Sequence, residues 1–332
     1  MKVTNSVRRL VAVACLAMLG GAASAQEPTK INIGLASGSL PSAGPRIAQQ
    51  MGLFSKHGLE AKITVLDDSS VATQALISGS IDFSVTSPSD AIIAQTRGQP
   101  VLAVATIYGG FTPALVLSKK AADATGVSPT APIAERLKAL NGLLIASPSA
   151  VSTFTLGTKC ALEPVGASVR FTYMSQPAMV SAIETGAIQG FLASAPFYGV
   201  PIAKGTGVSW VSGPNGEFPA GCSTVYAATL NATRTYAQAN PEVIRRVRAV
   251  LAELADTIRK HPDDVKAAIG KLFPDINETN LALLFQSQTD TAGFTAKPPV
   301  ADGMAREISF VKLSGVQLPG LDKLDPVSML VP

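Results

Sequence analysis

The stretch QALISGSIDFSVTSP, from Gln74 to Pro88, reads as the end of a helix, a glycine turn at Gly79, the apolar strand Ile81 to Thr86 and a Ser/Pro loop. Gly79 stands where a left-handed helix cap takes glycine without a Cβ penalty. A second stretch, AIETGAIQGFLASAP from Ala182 to Pro196, has the same order of parts. Sliding the chain on itself by 107 positions superposes Ala75 on Ala182, Gly79 on Gly186, Ile81 on Ile188 and Ser87 on Ser194. These matches fall on equivalent structural positions, which marks an internal repeat.

Upstream of the first stretch, strand-like and helix-like runs alternate: Ile31 to Ala36, a helix over Ala43 to Met51, Ala61 to Leu66 and a helix over Val71 to Ser78. The series continues with a helix over Asp90 to Arg97 and a strand over Val101 to Tyr108. Gly52, Gly58 and Gly98 sit at helix ends as Gly79 does. Alternation of this kind means βαβ units and a largely parallel sheet with helices on both faces. A connection rich in Ala, Ser, Thr and Pro, Ala121 to Pro132, separates this unit from a second one. There the helices run from Ile133 to Leu140, Ser152 to Leu162 and Ala178 to Thr185, and the strands from Leu143 to Ala146, Val169 to Tyr173 and Ile188 to Ala193.

From Asn240 onward only helices are expected: Pro241 to Lys260, Pro262 to Phe273, Glu278 to Thr289 and Asp302 to Leu313. Pro241 and Pro262 occupy helix starts, where the missing N–H costs nothing. In the first of these helices Val243, Val247, Val250, Leu251, Leu254 and Ile258 share one face. Arg245, Arg246, Arg248, Glu253, Asp256 and Arg259 share the other, which reads as a solvated face.

The N-terminus decides the compartment. Lys2, Arg8 and Arg9 precede the apolar run Leu10 to Leu19, and Ala23-Ser24-Ala25 fits the small-residue cleavage rule. The run is shorter than the roughly 20 residues of a spanning helix, so residues 1–25 read as a secretory signal removed before Gln26. No cysteine stands immediately after that point, since Cys15 lies within the apolar run, so no lipid anchor is expected. Removing the three basic residues leaves 24 basic against 23 acidic ones. A near-neutral surface argues against nucleic acid, which favours a basic stripe. The remaining length suffices for two domains of ordinary size. Cys160 and Cys222 either form a disulfide, which an exported protein permits, or stay as two buried thiols.

Catalytic and metal signatures are missing. With only His57 and His261, both expected in exposed loops, and no clustered acidic residues at metal spacing, there is no zinc ligand set. No Gly-x-Ser-x-Gly elbow, phosphate-cradling loop or cofactor motif occurs.

Four segments resemble a known family, the substrate-binding proteins of nitrate, sulfonate and taurine-type ABC importers, whose fold the thiamine-pyrimidine synthases share. They are Ile47-Ala48 with Gly52 to Glu60, then Gln74 to Phe83, Ala182 to Ile188 and Asn240 to Val243. The resemblance implies an α/β, two-lobed type II periplasmic binding protein fold, each lobe a mainly parallel sheet flanked by helices. Lobe one would take residues 26–113 and 222–332, lobe two residues 114–221, with Ala114 to Ser118 and Thr224 to Thr229 as the two crossing segments. It also implies a monomer in the periplasm that captures a small anionic or polar organic solute, such as a sulfonate, taurine, nitrate or an aromatic acid. Its partners would be the permease and ATPase of the importer, with no membrane insertion of its own. The synthases carry a cysteine-rich motif that has no match here, and an exported ligand sensor would share fold and compartment. One departure is Gln189, where the family commonly has an acidic residue and the first copy has Asp82; this reads as a lost turn interaction.

In open α/β sheets ligands bind beyond the carboxyl ends of the strands, where loops enter helix N-termini. The loops that meet this condition supply the candidate ligand-binding residues Ser37, Gly38, Ser39, Ser87, Ser89, Tyr108, Ser149, Ser152, Thr153, Ser194 and Phe197. Helix N-termini and rotatable hydroxyls suit an anion or a polar head group. The competing reading is that Ser87, Ser89, Ser149 and Ser152 only cap helices. Phe111, Phe154 and Tyr198 also lie near these loops, and Arg46 is the only arginine near one of them.

Overall fold

The computed structural model describes residues 27–274, 294 and 297–332. The signal segment and the expected helix Glu278 to Thr289 lie outside the described residues. The strands are β1 (Thr29–Leu35), β2 (Leu59–Val65), β3 (Phe83–Thr86), β4 (Val101–Gly109), β5 (Ala114–Ser118), β6 (Leu144–Ser147), β7 (Arg170–Tyr173), β8 (Gly190–Ala193), β9 (Gly207–Ser212) and β10 (Tyr226–Thr233). In the first half the helices are α1 (Gly44–Gln50), α2 (Leu53–Lys56), α3 (Ser69–Ile77), α4 (Pro88–Thr96), α5 (Lys119–Ala124) and α6 (Ile133–Lys138). Then come α7 (Thr153–Leu162), α8 (Gln176–Glu184), α9 (Gly199–Ala203), α10 (Arg234–Ala239), α11 (Pro241–Lys260), α12 (Pro262–Leu272) and α13 (Ala301–Leu313).

The strands form two five-stranded sheets, ordered β2-β1-β3-β10-β4 and β7-β6-β8-β5-β9. In the first, β1 is parallel to β2 and β3, and only β10 runs against its neighbours. The second repeats the pattern: β6 is parallel to β7 and β8, and β5 runs against β8 and β9. The reversed strand of each sheet is the one delivered by the chain as it arrives from the other sheet. Ala114–Ser118 is therefore not a crossing segment but an inner strand with both edges hydrogen-bonded. The outward crossing is the short stretch Gly110 to Pro113, and the return runs through residues 213–225.

The two crossings touch. Gly110 N–H donates to Val225 O at 2.7 Å, and the Thr224 hydroxyl donates to Gly110 O at 3.3 Å. Gly110 has φ +80, and a Cβ at Gly213 would stand 2.6 Å from Pro113 O, so glycine is needed at both places.

The repeat found in the sequence is structural. Under the shift of 107, α3 falls on α8 and β3 on β8, residue for residue, and Gly79 and Gly186 both have positive φ. The Gln189 departure is corrected by this comparison. Asp82 Oδ2 accepts the backbone N–H of Asn32 at 2.7 Å, and Gln189 Oε1 accepts that of Leu144 at 2.9 Å. An amide oxygen accepts as a carboxylate does, so the turn-to-strand clamp is kept in both copies.

Under the first sheet, the apolar face of α11 packs as its periodicity predicts, with Val243, Val247, Val250, Leu251, Leu254 and Ile258 in the core alongside Ile31, Ile33 and Leu35 of β1. Arg248 departs from the expected solvated face. Its guanidinium reaches under the sheet to donate to Val104 O at 3.0 Å, Val331 O at 2.6 Å and Pro332 O at 2.9 Å, which ties down the C-terminus. His57, expected in an exposed loop, instead pairs its Nε2 with Glu253 Oε2 of α11 at 2.8 Å.

The second sheet has its own core around Leu115, Ile145, Leu192 and the fully buried Trp210. Cys160 of α7 and Cys222 of the return crossing are joined in a disulfide within it. A third cluster spans both halves: Ile92 of α4 and Leu156 of α7 pack with Met304, Ile308 and Phe310 of α13. The C-terminal helix thus backs both sheets.

Candidate functional site

The carboxyl ends of the two sheets face a shared hollow that opens to solvent. Its first wall comes from the loops after β1 (Ser37, Ser39), β2 (Asp67, Ser69) and β3 (Ser87, Asp90). The second comes from the loops after β6 (Pro148, Ser152, Thr153, Phe154) and β8 (Ser194) and from Gln176 at the start of α8. Thr112 of the outward crossing and Ala227 and Ala228 of β10 form its floor. This is where the open-sheet rule places a ligand.

Of the candidate residues, Ser37, Ser39, Ser87, Ser152, Thr153 and Ser194 come together in the walls. The other five do not. Gly38 lies between the lining residues Ser37 and Ser39 but is not itself in the lining; a Cβ there would meet Val65. Ser89 is fully buried and bonds the Ser87 hydroxyl at 2.8 Å. Ser149 is buried in the β6–α7 loop, where its carbonyl accepts the hydroxyls of Ser152 at 3.1 Å and Thr155 at 2.6 Å. Tyr108 is held in the first core, edge-on to Phe294 at 5.2 Å, and its ring lines an adjoining hollow that shares Pro41 and Thr112 with the first. Phe197 packs against the second sheet's Met179 and Phe191 cluster.

The capping reading holds in part. The Ser152 hydroxyl accepts the N–H of Thr155 at 3.3 Å and so caps α7. Ser87 and Asp90 form a capping box at the start of α4, in which the Ser87 N–H and hydroxyl both donate to Asp90 Oδ2, at 3.1 and 2.7 Å. Other hydroxyls in the walls are uncommitted. Thr153 Oγ1 and Ser39 Oγ make no hydrogen bond among the described residues. Ser69 Oγ is buried; it lies near enough to Asp90 to help hold that carboxyl's pKa down, but not in hydrogen-bonding geometry.

Sequence reasoning missed Asp67, Ser69, Asp90, Thr112 and Gln176. A signal for two of them existed in the repeat, because the shift that pairs Ser87 with Ser194 also pairs Ser69 with Gln176. Asp90 is buried, and that burial pushes its carboxyl up to about 6 against the lowering effect of the Ser87 bonds. Asp67 is exposed at the rim and is the one non-glycine among the described residues with positive φ, at 53. Among the described residues no lysine, arginine or histidine lines the hollow, and Arg46 lies outside it.

Among the described residues three hydrogen bonds bridge the walls. Gln176 Nε2 donates to Ser37 Oγ at 2.9 Å, while its Oε1 accepts the N–H of Ser194 at 2.8 Å. Leu40 N–H donates to Ala195 O at 2.9 Å, and the Ser89 hydroxyl reaches Val151 O at 3.5 Å. Among the described residues no three His, Cys, Asp or Glu are grouped as metal ligands, and no helix is long and apolar enough to cross a membrane.

With that geometry in place, the model of the NMT1-like family matches residues 24–272, three-quarters of the chain. The chain belongs to the NMT1-like family. Among solved structures, the family member resembles the alkanesulfonate-binding protein of Xanthomonas axonopodis pv. citri bound to MOPS, with 16% identity, 92% of this chain and 95% of that one covered, and a TM-score of 0.70. The periplasmic aliphatic sulphonate binding protein of Escherichia coli matches with 18% identity, coverage of 89% and 97%, and a TM-score of 0.66. A third is the periplasmic nitrate-binding protein of Synechocystis PCC 6803, at 15% identity, coverage of 80% and 70%, and a TM-score of 0.59. At such identities the likeness establishes the shared two-sheet fold. No curated protein matches by sequence.

Proposed function

We propose that this NMT1-like protein is the solute-binding component of an ABC importer, working in the periplasm as a monomer. It captures a small polar organic or anionic solute in the hollow between the sheets and delivers it to the importer's permease and ATPase. The observation that carries this reading is a hollow walled by strand-end loops of both sheets, whose strands are joined among the described residues by the two adjoining crossings. Such a linkage lets the halves open and close about a ligand as rigid bodies. Structures with this fold include sulfonate- and nitrate-binding proteins of the periplasm, which supports the class of function. The secretory signal read from residues 1–25 supports the compartment.

A thermal-shift screen of sulfonates, amino sulfonates, nitrate, aromatic acids and heterocyclic amines, followed by small-angle scattering, tests the proposal. A solute at a hundred times its dissociation constant stabilises the fold by about 2.7 kcal/mol. The radius of gyration should fall on binding as the walls close. A solute that stabilises the protein and leaves the scattering curve unchanged would argue against hinge closure. Failure of every class to stabilise it would argue against solute binding.

A further inference from the structure

The ionisable side chains lining the hollow are all of one kind. Asp67 and Asp90 are carboxylates of the first wall, and no cationic side chain among the described residues offsets them there. Asp90 is almost wholly buried, and both Ser87 bonds fall on its Oδ2. Beside it the buried Ser69 hydroxyl also lines the hollow and has no hydrogen-bond partner among the described residues. A buried polar atom left unpaired costs stability, so its place in a ligand-facing wall points to a partner supplied by the ligand.

Helix starts reach the hollow from both walls, but the second wall carries no carboxylate in its lining. It presents the N-terminus of α7, a helix of 10 residues, with Thr153 and Phe154 of its first turn in the lining. The N–H groups there favour an acceptor or an anion. A simple anion would gain at this wall and be repelled by the other. Resting on the solute-binding reading above, we infer that the solute carries a protonated or N–H-rich nitrogen group, an amine, amidine or amino-substituted heterocycle, which is received by Asp90, Asp67 and Ser69. Its acceptor end then faces α7. The charge pattern thus selects for a solute with two unlike ends.

Matched pairs that differ only in the nitrogen group test this: taurine against ethanesulfonate, β-alanine against propionate, and 4-amidinobenzoate against benzoate. Binding is measured by ligand-observed NMR and competition at millimolar concentration, on the full mature protein. The nitrogen-bearing member of each pair should bind about ten- to a hundredfold more tightly, the range of a hydrogen bond to a charged group. That advantage should disappear in Asp90→Asn and shrink in Asp67→Asn. The amide introduced by Asp90→Asn keeps an oxygen to accept from Ser87, and Asp67 is exposed, so both variants should fold; their melting curves check this. Tighter binding of the nitrogen-free members would overturn the inference while leaving the solute-binding reading intact. So would a nitrogen advantage that survives in both variants. No binding of any member would count against both.

Discussion

Replacing Cys160 and Cys222 together by alanine should lower the unfolding free energy by about 4 kcal/mol, the loop-closure entropy that a cross-link removes from an unfolded chain at this spacing. The two cysteines are 62 residues apart in sequence and 5.4 Å apart at Cα. The cross-link joins α7, whose first turn forms part of the second wall, to the return crossing just before β10. Its loss therefore loosens both the second core and one of the two connections on which closure depends. Urea unfolding of the oxidised protein, the reduced protein and the double variant measures the effect. The reduced protein and the double variant should agree, and a loss below about 1 kcal/mol in both would show that the unfolded chain is not restrained in this way.

Glu307 gives the second large effect. It lies on α13 at full burial, and its Oε1 accepts the N–H groups of Val225 at 2.6 Å and Tyr226 at 3.0 Å, at the end of the return crossing. Its Oε2 is buried without a partner among the described residues. Burial pushes this carboxyl from 4.5 to about 7, against the opposing effects of the two backbone bonds and Arg306. The folded state therefore holds a proton that the unfolded state has lost between pH 4.5 and about 7. Stability from this group is greatest below pH 4.5, falls as the pH rises through that window, and levels off above about 7. Glu307→Gln cannot titrate, so the stability difference between variant and native protein should shift by about 3 kcal/mol in the variant's favour across the window. Other carboxylates, including the buried Asp90, titrate in both proteins and cancel. A difference that stays constant with pH would mean that Glu307 is ionised throughout.

Much of this architecture was legible because burial imposes periodicity. The duplicated helix-glycine-strand unit established which parts correspond, and the apolar stripe of α11 identified its packed face from residue order alone. What escaped was decided by partners distant in sequence. Ala114–Ser118 is apolar and extended, as a crossing segment is, and only pairing with β8 and β9 reveals it as an inner strand. Arg248 reads as surface because its acceptors at Val104 and the C-terminus are far along the chain. Gln189 reads as a lost contact because residue type suggests a missing charge, whereas the clamp needs only an oxygen.

The site shows the same division. Hydroxyl-rich loops at strand ends were visible, and six of their candidates do line the hollow. Which serines face inward depends on local turns: Ser87 lines the wall, while Ser89, two residues on, is turned into the protein. Asp90 reads in the sequence as an ordinary first-turn residue. Its burial beside Ser87 and Ser69 is what makes it part of the wall, and that burial comes from tertiary packing.

The central claim is that one solute is held by both walls at once. Calorimetric titration of the solute found by screening into Ser69→Ala and Thr153→Ala tests this most directly, since each variant removes a wall hydroxyl that bonds no described residue. Neither change should lower the melting temperature, and each should weaken binding by about 0.5 to 1.5 kcal/mol, a loss of roughly two- to tenfold. Full affinity retained in both variants would contradict a site shared between the walls, and full affinity in one would confine the solute to the other.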